Sequence, residues 1–484
     1  MVAAPRTPHI TLSTGFIRLP FLDRFDRCAG GDETGFVIRP RHARRRLGPS
    51  HSFPTTTMND IPYQTIDTRA LHGLAQPDRI APALYHDPAL FEAELDRIFY
   101  RTWIWVAHDS ELPRPGDFIT TTIGRQPVIV VRDKTGEVNV LQNRCRHRGA
   151  TVCEAHKGNA KGFTCPYHSW SYALDGTLRA LPYGDGYEGV CDKGDLPLVK
   201  LRVGVYQGLI FASFNDEIEP LEDFLGGAKP WIDLFMKQGA GYPIKANGEH
   251  KFRFKGNWKI QLENTTDLYH FPVVHKSWMK SIDDETAATI TSFMTSDAAF
   301  CRSLGNGHSL AVLMPELVDL DDDDGAPLPE RFAPLAAKLA ERHTPEQVRR
   351  IVRSLMGVGF NLNLFPNLAL SMAFFRVLRP ISATETEIRH VALAMDGGPD
   401  EANRERLRIH EHFQGPFGFG SPDDAEAWER VQRGAYAGPD VPILVNRGLN
   451  RETTAANGEK TAHATDETGM REAYRQWRTM MEQA

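Results

Sequence analysis

Long apolar runs are missing from this chain of 484 residues. No stretch approaches the roughly 20 apolar residues that a membrane-spanning helix needs. Cysteine is scarce: there are six, at Cys28, Cys145, Cys153, Cys165, Cys191 and Cys301. That is too few for a disulfide scaffold in so long a chain, and it points to a reducing, cytoplasmic compartment. Strong charge is also missing, and a net charge of −6 gives no electrostatic case for nucleic acid or an acidic membrane as partner. No internal repeat, low-complexity tract, dinucleotide fingerprint, flavin motif or four-cysteine plant-type ferredoxin pattern occurs. Lysine is absent from residues 1–57, which carry nine arginines. Asp23, Asp26, Asp32 and Glu33 in the same stretch fit a transit peptide poorly. Residues 1–57 read as a weakly ordered extension, with Met58 as the start of the working protein.

What remains, 41% hydrophobic with mixed charge, reads as two or three globular domains. "DPALFEAELDRIFYRTW" (87–103) predicts an amphipathic helix capped by Asp87, with Leu90, Phe91, Leu95, Ile98 and Phe99 on one face. The period then changes. "PVIVVRD" and "EVNVLQN", "SYALDGTLRAL", and "VGVYQGLIFASF" predict hairpins, so about 105–215 forms a small all-β unit. Beyond it the texture is mixed. A strand and helix are expected over "GEHKFRFKGNWKIQLENTTDLYHF", and a solvated acidic loop over Asp321–Asp324. Two or three strands of an antiparallel sheet are expected over 360–395, and helices from about Asn403 broken by "GPFGFGSP".

The chemistry gathers in two places. "NRCRHRGATVCEAHKGNAKGFTCPYHSW" (143–170) holds half of the cysteines. Within it, Cys145-x-His147 and Cys165-x-x-His168 each offer one thiolate and one imidazole. Paired loops of this kind suit zinc or a [2Fe–2S] cluster in which two histidines replace two cysteines on one iron. Cys153 and His156 match neither loop and read as packing and surface. The second place is "GNWKIQLENTTDLYHFPVVHKSW" (256–278). Asp267 and His270 stand i, i+3 on a predicted helix, while His270 and His275 would diverge on an ideal one. Pro272 between them predicts a break that lets both imidazoles converge. Two histidines and a carboxylate make the facial set of non-haem Fe(II) oxygen enzymes.

Together these motifs resemble the large subunits of Rieske-type ring-hydroxylating oxygenases, over about residues 75–450. The resemblance implies an α+β architecture. An all-β Rieske domain (105–215) stands beside a catalytic domain with a large antiparallel sheet and helices, of helix-grip type (216–484, with 58–104 as its N-terminal helical part). It implies that Cys145, His147, Cys165 and His168 hold the cluster, and that His270 and His275 bind a mononuclear Fe(II). "GPFGFGSPDDAEAWERVQRG" (415–434) is similar to the family's GPxG…DD segment. That similarity offers Asp424 as the carboxylate ligand, with Asp423 as the alternative. Ser421-Pro422-Asp423-Asp424 also reads as a helix-capping start. In the family the aspartate of D-x-x-H-x-x-x-x-H is not a ligand but a bridge between subunits. Carried over, Asp267 would link His270 to His168 of the partner subunit.

The implied activity is O₂-dependent hydroxylation, foremost cis-dihydroxylation, of an aromatic compound. "ENTTD" is more similar to benzoate-, anthranilate- and salicylate-type enzymes, which implies an aromatic carboxylate or related monocyclic substrate. The alternative is an α-only monooxygenase or demethylase, including those acting on quaternary amines. The implied partners are a reductase that brings electrons from NAD(P)H, with or without a ferredoxin, and a small β subunit (α₃β₃) or further copies of the chain (α₃). Leu262, Phe271, Val274, residues 300–314, Phe360–Phe365, Met372 and Phe417–Phe419 are the expected pocket walls, with His308 a weaker candidate.

Overall fold

The computed structural model describes residues 71–323 and 325–483, all within the unit His51–Ala484. The expected extension over residues 1–57, the start at Met58, and Asp324 lie outside them. Among the described residues, no helix is long and apolar enough to cross a membrane.

Helix α1 (Pro88–Glu94) starts where the sequence predicts. Asp87 Oδ1 accepts from the backbone N–H groups of Ala89 and Leu90, at 2.7 and 3.3 Å, and proline opens the first turn. The helix ends in a π turn, Leu95–Phe99, and all five apolar residues of the expected face are buried. The β unit follows. Val138–Gln142, Gln126–Arg132, Asp117–Ile123 and Lys157–Asn159 pair in that order. Phe163–Thr164, Ser171–Tyr172 and Leu178–Ala180 form a second sheet. Its Asp175-Gly176 turn needs glycine, because residue 176 sits at φ +91°. Arg202–Tyr206 pairs with Leu209–Ser213, as expected, and that hairpin joins Ile104–His108.

The larger sheet has nine strands: β1 (Ile244–Phe254), β2 (Phe300–Gly305), β3 (His308–Val312), β4 (Phe360–Leu364), β5 (Leu368–Ser371), β6 (Phe374–Ser382), β7 (Glu385–Met395), β8 (Thr453–Thr454) and β9 (Lys460–His463). The spatial order is β1-β7-β6-β5-β4-β3-β2-β9-β8, antiparallel throughout. Residues 360–395 give four strands, not two or three. Their turns are only two or three residues long, too short to interrupt the apolar pattern. Helices α2 (Trp258–Thr266), α3 (Phe271–Val274), α4 (Asp400–Gln414), α5 (Gly420–Gly434) and α6 (Thr468–Glu482) complete the part that matters for the site. Of these, α2 packs on β4, α4 on β7, and α6 on β2 and β3. The acidic loop is not simply solvated. Asp321 and Asp323 pair with Arg349, Arg350 and Arg353 of the helix Pro345–Arg353.

One buried ion pair ties α1 to α2 and α6. Glu94, 0% exposed, accepts from Lys259 Nζ at 2.5 Å and from the indoles of Trp258 and Trp477, both at 2.8 Å. Glu94→Ala would strand the Lys259 ammonium in the core. The expected cost is about 3–5 kcal/mol, measurable as a lowered urea midpoint of the metal-loaded protein.

Candidate metal centres

The two Cys/His loops have matching backbones. Gly149 N–H donates to Cys145 C=O and Ser169 N–H to Cys165 C=O, both at 3.0 Å. The fifth residue of each loop takes a left-handed conformation, Gly149 at φ +75° and Ser169 at φ +60°. The turns seat Cys145 and Cys165 in the core of the β unit, 3% and 1% exposed, beside Trp170 and Tyr172. Tyr172 Oη lies 3.3 Å from Cys145 Sγ and accepts from Arg146 N–H at 3.1 Å. His147 and His168 are only partly buried. Their Nδ1 atoms lie 3.1 Å apart, and Trp170 stacks on His147. The sulfurs point inward and the imidazoles pair at the rim. This split matches a binuclear cluster with thiolates on one iron and imidazoles on the other. Cys153 is half-buried against the same core and outside the quartet. His156 is exposed, with Nε2 3.2 Å from Glu249 Oε1 on β1.

At the second place the helix breaks earlier than expected. Helix α2 ends at Thr266, and Asp267 is extended, at φ −89° and ψ 97°. Asp267 and His270 therefore do not share a helix face. A side-chain turn joins them instead, with Asp267 Oδ1 accepting from Tyr269 N–H at 2.8 Å and His270 N–H at 3.3 Å. Pro272 does not make the break. It occupies the first turn of the separate short helix α3, where a missing N–H costs nothing, and His270 and His275 flank that helix.

The carboxylate arrives from α5. Ser421 is not its cap: the helix begins at Gly420, and Ser421 Oγ donates to Gln414 C=O. Asp424, 3% exposed, places Oδ1 3.2 Å from His275 Nε2 and 3.4 Å from His270 Nε2. Behind each imidazole stands a second carboxylate. Asp267 Oδ2 is 3.4 Å from His270 Nδ1, and Asp423 Oδ2 is 4.0 Å from His275 Nδ1. Asp423 thus lies behind a histidine rather than among the converging donors.

Burial opposes charge on His270, but Asp267 and Asp424 override it and hold the imidazole up to about 10. Burial likewise opposes the Asp424 charge, and the two histidines hold its carboxyl well below the usual carboxylate range. Two imidazoles with one carboxylate suit Fe(II) while leaving positions open for O₂. The donor atoms of His270, His275 and Asp424 all lie within 4.8 Å of one another.

Phe271, Leu313, Asn361 and Met372 line the cleft beside these donors, as expected from their stretches. Leu262 faces a separate space near Trp258 and Trp477. Phe417 is fully exposed and Phe419 is 39% exposed, and neither lines the cleft. Val274 is half-buried outside the lining. His308 is structural, with its ring nitrogens on Phe224 C=O and Phe365 N–H, at 2.9 and 3.0 Å.

Arg376 and Gln414 enter the cleft from outside the motifs, and Asn264 enters it from the ENTTD stretch. Asn264 Nδ2 donates to Asp424 Oδ1 at 3.3 Å. Gln414 and Arg376 form its wall, with Arg376 Nη2 donating to Gln414 Oε1 at 3.1 Å. A lone arginine in the apolar strand "FFRVL" was the available signal.

Comparison with known proteins agrees with this geometry. Residues 102–192 match the Rieske [2Fe–2S] domain family, and residues 243–483 match the ring hydroxylating alpha subunit (catalytic domain) family. The chain is 33% identical over 395 residues to the anthranilate 1,2-dioxygenase large subunit of Acinetobacter baylyi, covering 78% of this chain and 81% of that one. It is 31% identical over 434 residues to the biphenyl dioxygenase subunit alpha of Paraburkholderia xenovorans, covering 85% and 93%. Among solved structures, naphthalene 1,2-dioxygenase from Rhodococcus sp. bound to indole superposes with a TM-score of 0.69 at 28% identity, over 83% of this chain and 94% of that one. With both domains in one chain and this span of similarity, the protein belongs to the large (alpha) subunits of the Rieske ring-hydroxylating dioxygenases, oxidoreductases that act as terminal oxygenases on aromatic substrates with O₂ and a reductase.

Proposed function

We propose that this chain is the oxygenase component for an aromatic carboxylate and cis-dihydroxylates its ring. The observation that carries the substrate class is Arg376. Its guanidinium is buried in the cleft wall, and its hydrogen bonds go to neutral groups: His390, Thr265 and Gln414. Among the described residues no carboxylate lies within ion-pair distance of it. Burial pushes it down only to about 10, with Asp424 opposing the fall, so it stays charged at neutral pH. A buried cation without a counter-ion is costly. A substrate carboxylate would supply that counter-ion and turn the ring toward the donors of His270, His275 and Asp424. Anthranilate, toluate and 2-halobenzoate dioxygenases among the relatives carry aromatic acids in their names.

In this reading Cys145, His147, Cys165 and His168 hold the cluster, and His270, His275 and Asp424 hold the mononuclear iron. Bound there, the cluster delivers electrons singly and the iron activates O₂. The protein's own residues do the rest. Asp267 and Asp423 orient the imidazoles from behind. Asn264 steadies Asp424, and Phe271, Leu313 and Phe413 exclude water from the ring. His168 at the rim of the β unit and the partly exposed Asp267 suit contact between neighbouring copies, and exposed Tyr269 and Val273 surround the latter. We therefore favour a trimer, α₃β₃ with a small subunit or α₃, in which Asp267 meets His168 of the partner subunit. The same reading divides the chain at about residues 104 and 215 and places the five described, unpaired cysteines in a reducing compartment.

The test compares benzoate with toluene, using a supplied reductase and scoring product mass and oxygen uptake. Arg376→Met should raise KM for benzoate by at least about 30-fold, from the roughly 2 kcal/mol or more that a buried charge pair contributes. Toluene turnover should change little. Equal effects on both substrates would sink the carboxylate reading.

A further inference from the structure

A second convergence of donors lies behind Arg376, outside the cleft. Arg376 on β6 stands opposite His390 on β7, and His390 stands opposite His250 on the edge strand β1. The three form one row across the sheet. Arg376 Nε donates to His390 Nε2 at 2.9 Å. A guanidinium only donates, so His390 Nε2 accepts and its proton sits on Nδ1. That Nδ1 faces His250 Nε2 at 3.2 Å and Gln414 C=O at 3.4 Å. His390 Nδ1–H then serves the Gln414 carbonyl, which also accepts from His250, so His250 keeps one unprotonated ring nitrogen for another partner.

Helix α4 lays His410 and Glu411 against this row. His410 is 5% exposed, yet neither of its ring nitrogens has a hydrogen-bond partner. Leaving one buried polar atom unpaired costs about 1–3 kcal/mol, so two on one ring require a reason. Its ring centroid is 5.8 Å from that of His250. Glu411 is exposed, and its carboxylate folds back over Gly415, where an added Cβ would meet Oε2 at 2.3 Å. One donor atom from each of His250, His410 and Glu411 lies within 4.8 Å of the others. Burial pushes His410 down to about 3 and His250 below its ordinary range, so both are neutral imidazoles at neutral pH, the form that ligates metal.

We infer that His250, His410 and Glu411 form a second divalent-cation site, distinct from His270, His275 and Asp424. Two imidazoles and one carboxylate favour a borderline ion such as Zn²⁺ over Mg²⁺ or Ca²⁺. Three protein ligands leave a position for water, and the exposed Glu411 gives the ion access from solvent. Such an ion staples α4 to the edge strand β1. The staple is well placed, because α4 ends at Gln414, which bonds Arg376, and leads through five residues into α5, which carries Asp424.

The experiment uses the whole oxygenase with its cluster and iron in place, dialysed against Zn²⁺ and then against metal-free buffer. Metals are counted by plasma mass spectrometry. One equivalent of zinc per chain is expected, with iron content unchanged. His410→Gln and the surface variant Glu411→Gln should each weaken zinc binding by at least about tenfold and leave both iron signals intact. Glu411→Gln keeps the test open should His410→Gln fail to fold. Wild-type protein that retains no zinc would overturn the site. So would zinc that displaces iron, or zinc that both variants keep.

Discussion

Asp424→Ala is expected to empty the mononuclear centre while the cluster's absorption and EPR spectra stay unchanged. The reason is geometric. One oxygen of this carboxylate faces both Nε2 atoms, at 3.2 and 3.4 Å, from a position 3% exposed. Removing it leaves two imidazoles that cannot neutralise a divalent ion. Loss of orienting carboxylates behind metal-bound histidines typically costs 10–100-fold in affinity, so loss of a direct donor should cost more than about 100-fold. Asp423→Ala supplies the control. Asp423 sits 4.0 Å behind His275 Nδ1, is 35% exposed and accepts a hydrogen bond from Ser277. Its removal should fall within the smaller range. Iron per chain, measured beside intact cluster spectra, gives the ranking, and the reverse order would transfer the ligand role to Asp423.

Asp267→Asn should keep both metals and lose turnover by roughly 100-fold or more, equivalent to about 2.7 kcal/mol of barrier. The amide oxygen can still accept from Tyr269 and His270 N–H, so the turn that positions His270 survives. What disappears is the charge facing His270 Nδ1 at 3.4 Å, and with it the charge-assisted contact proposed to reach the partner subunit. Single-turnover kinetics separate the two effects. Iron and cluster content should match wild type, while oxidation of the reduced cluster on mixing with substrate and O₂ should slow in step with product formation. Full activity would refute the bridging role. Normal cluster oxidation with little product would move the defect to the iron pocket.

The Cys/His loops were legible in the chain because each is a closed local turn. Four ligand candidates, their spacing and the glycine at position 149 all fall within five residues of a cysteine. The D-x-x-H-x-x-x-x-H stretch was legible as chemistry but not as shape. Helix periodicity places Asp267 on the same helix as His270, whereas Asp267's own side chain ends the helical path by bonding Tyr269 and His270 N–H. Asp424 could be aligned by pattern, though Ser421-Pro422-Asp423-Asp424 also reads as a helix cap. Only packing showed that Ser421 bonds Gln414 and that Asp424 turns inward.

Sequence alone therefore determined the two metal chemistries and the β unit with its mixed neighbour. Each depends on residue types at short, fixed spacings. Tertiary structure decided which carboxylate meets the histidines, where the cleft's charge lies, and that Arg376, His390 and His250 form one row. These residues are separated by up to about 140 positions and become neighbours only through the register of β6, β7 and β1. No local pattern encodes that register. It is set by burying the apolar faces of all three strands at once, and a shift of one residue would turn each side chain to the opposite face.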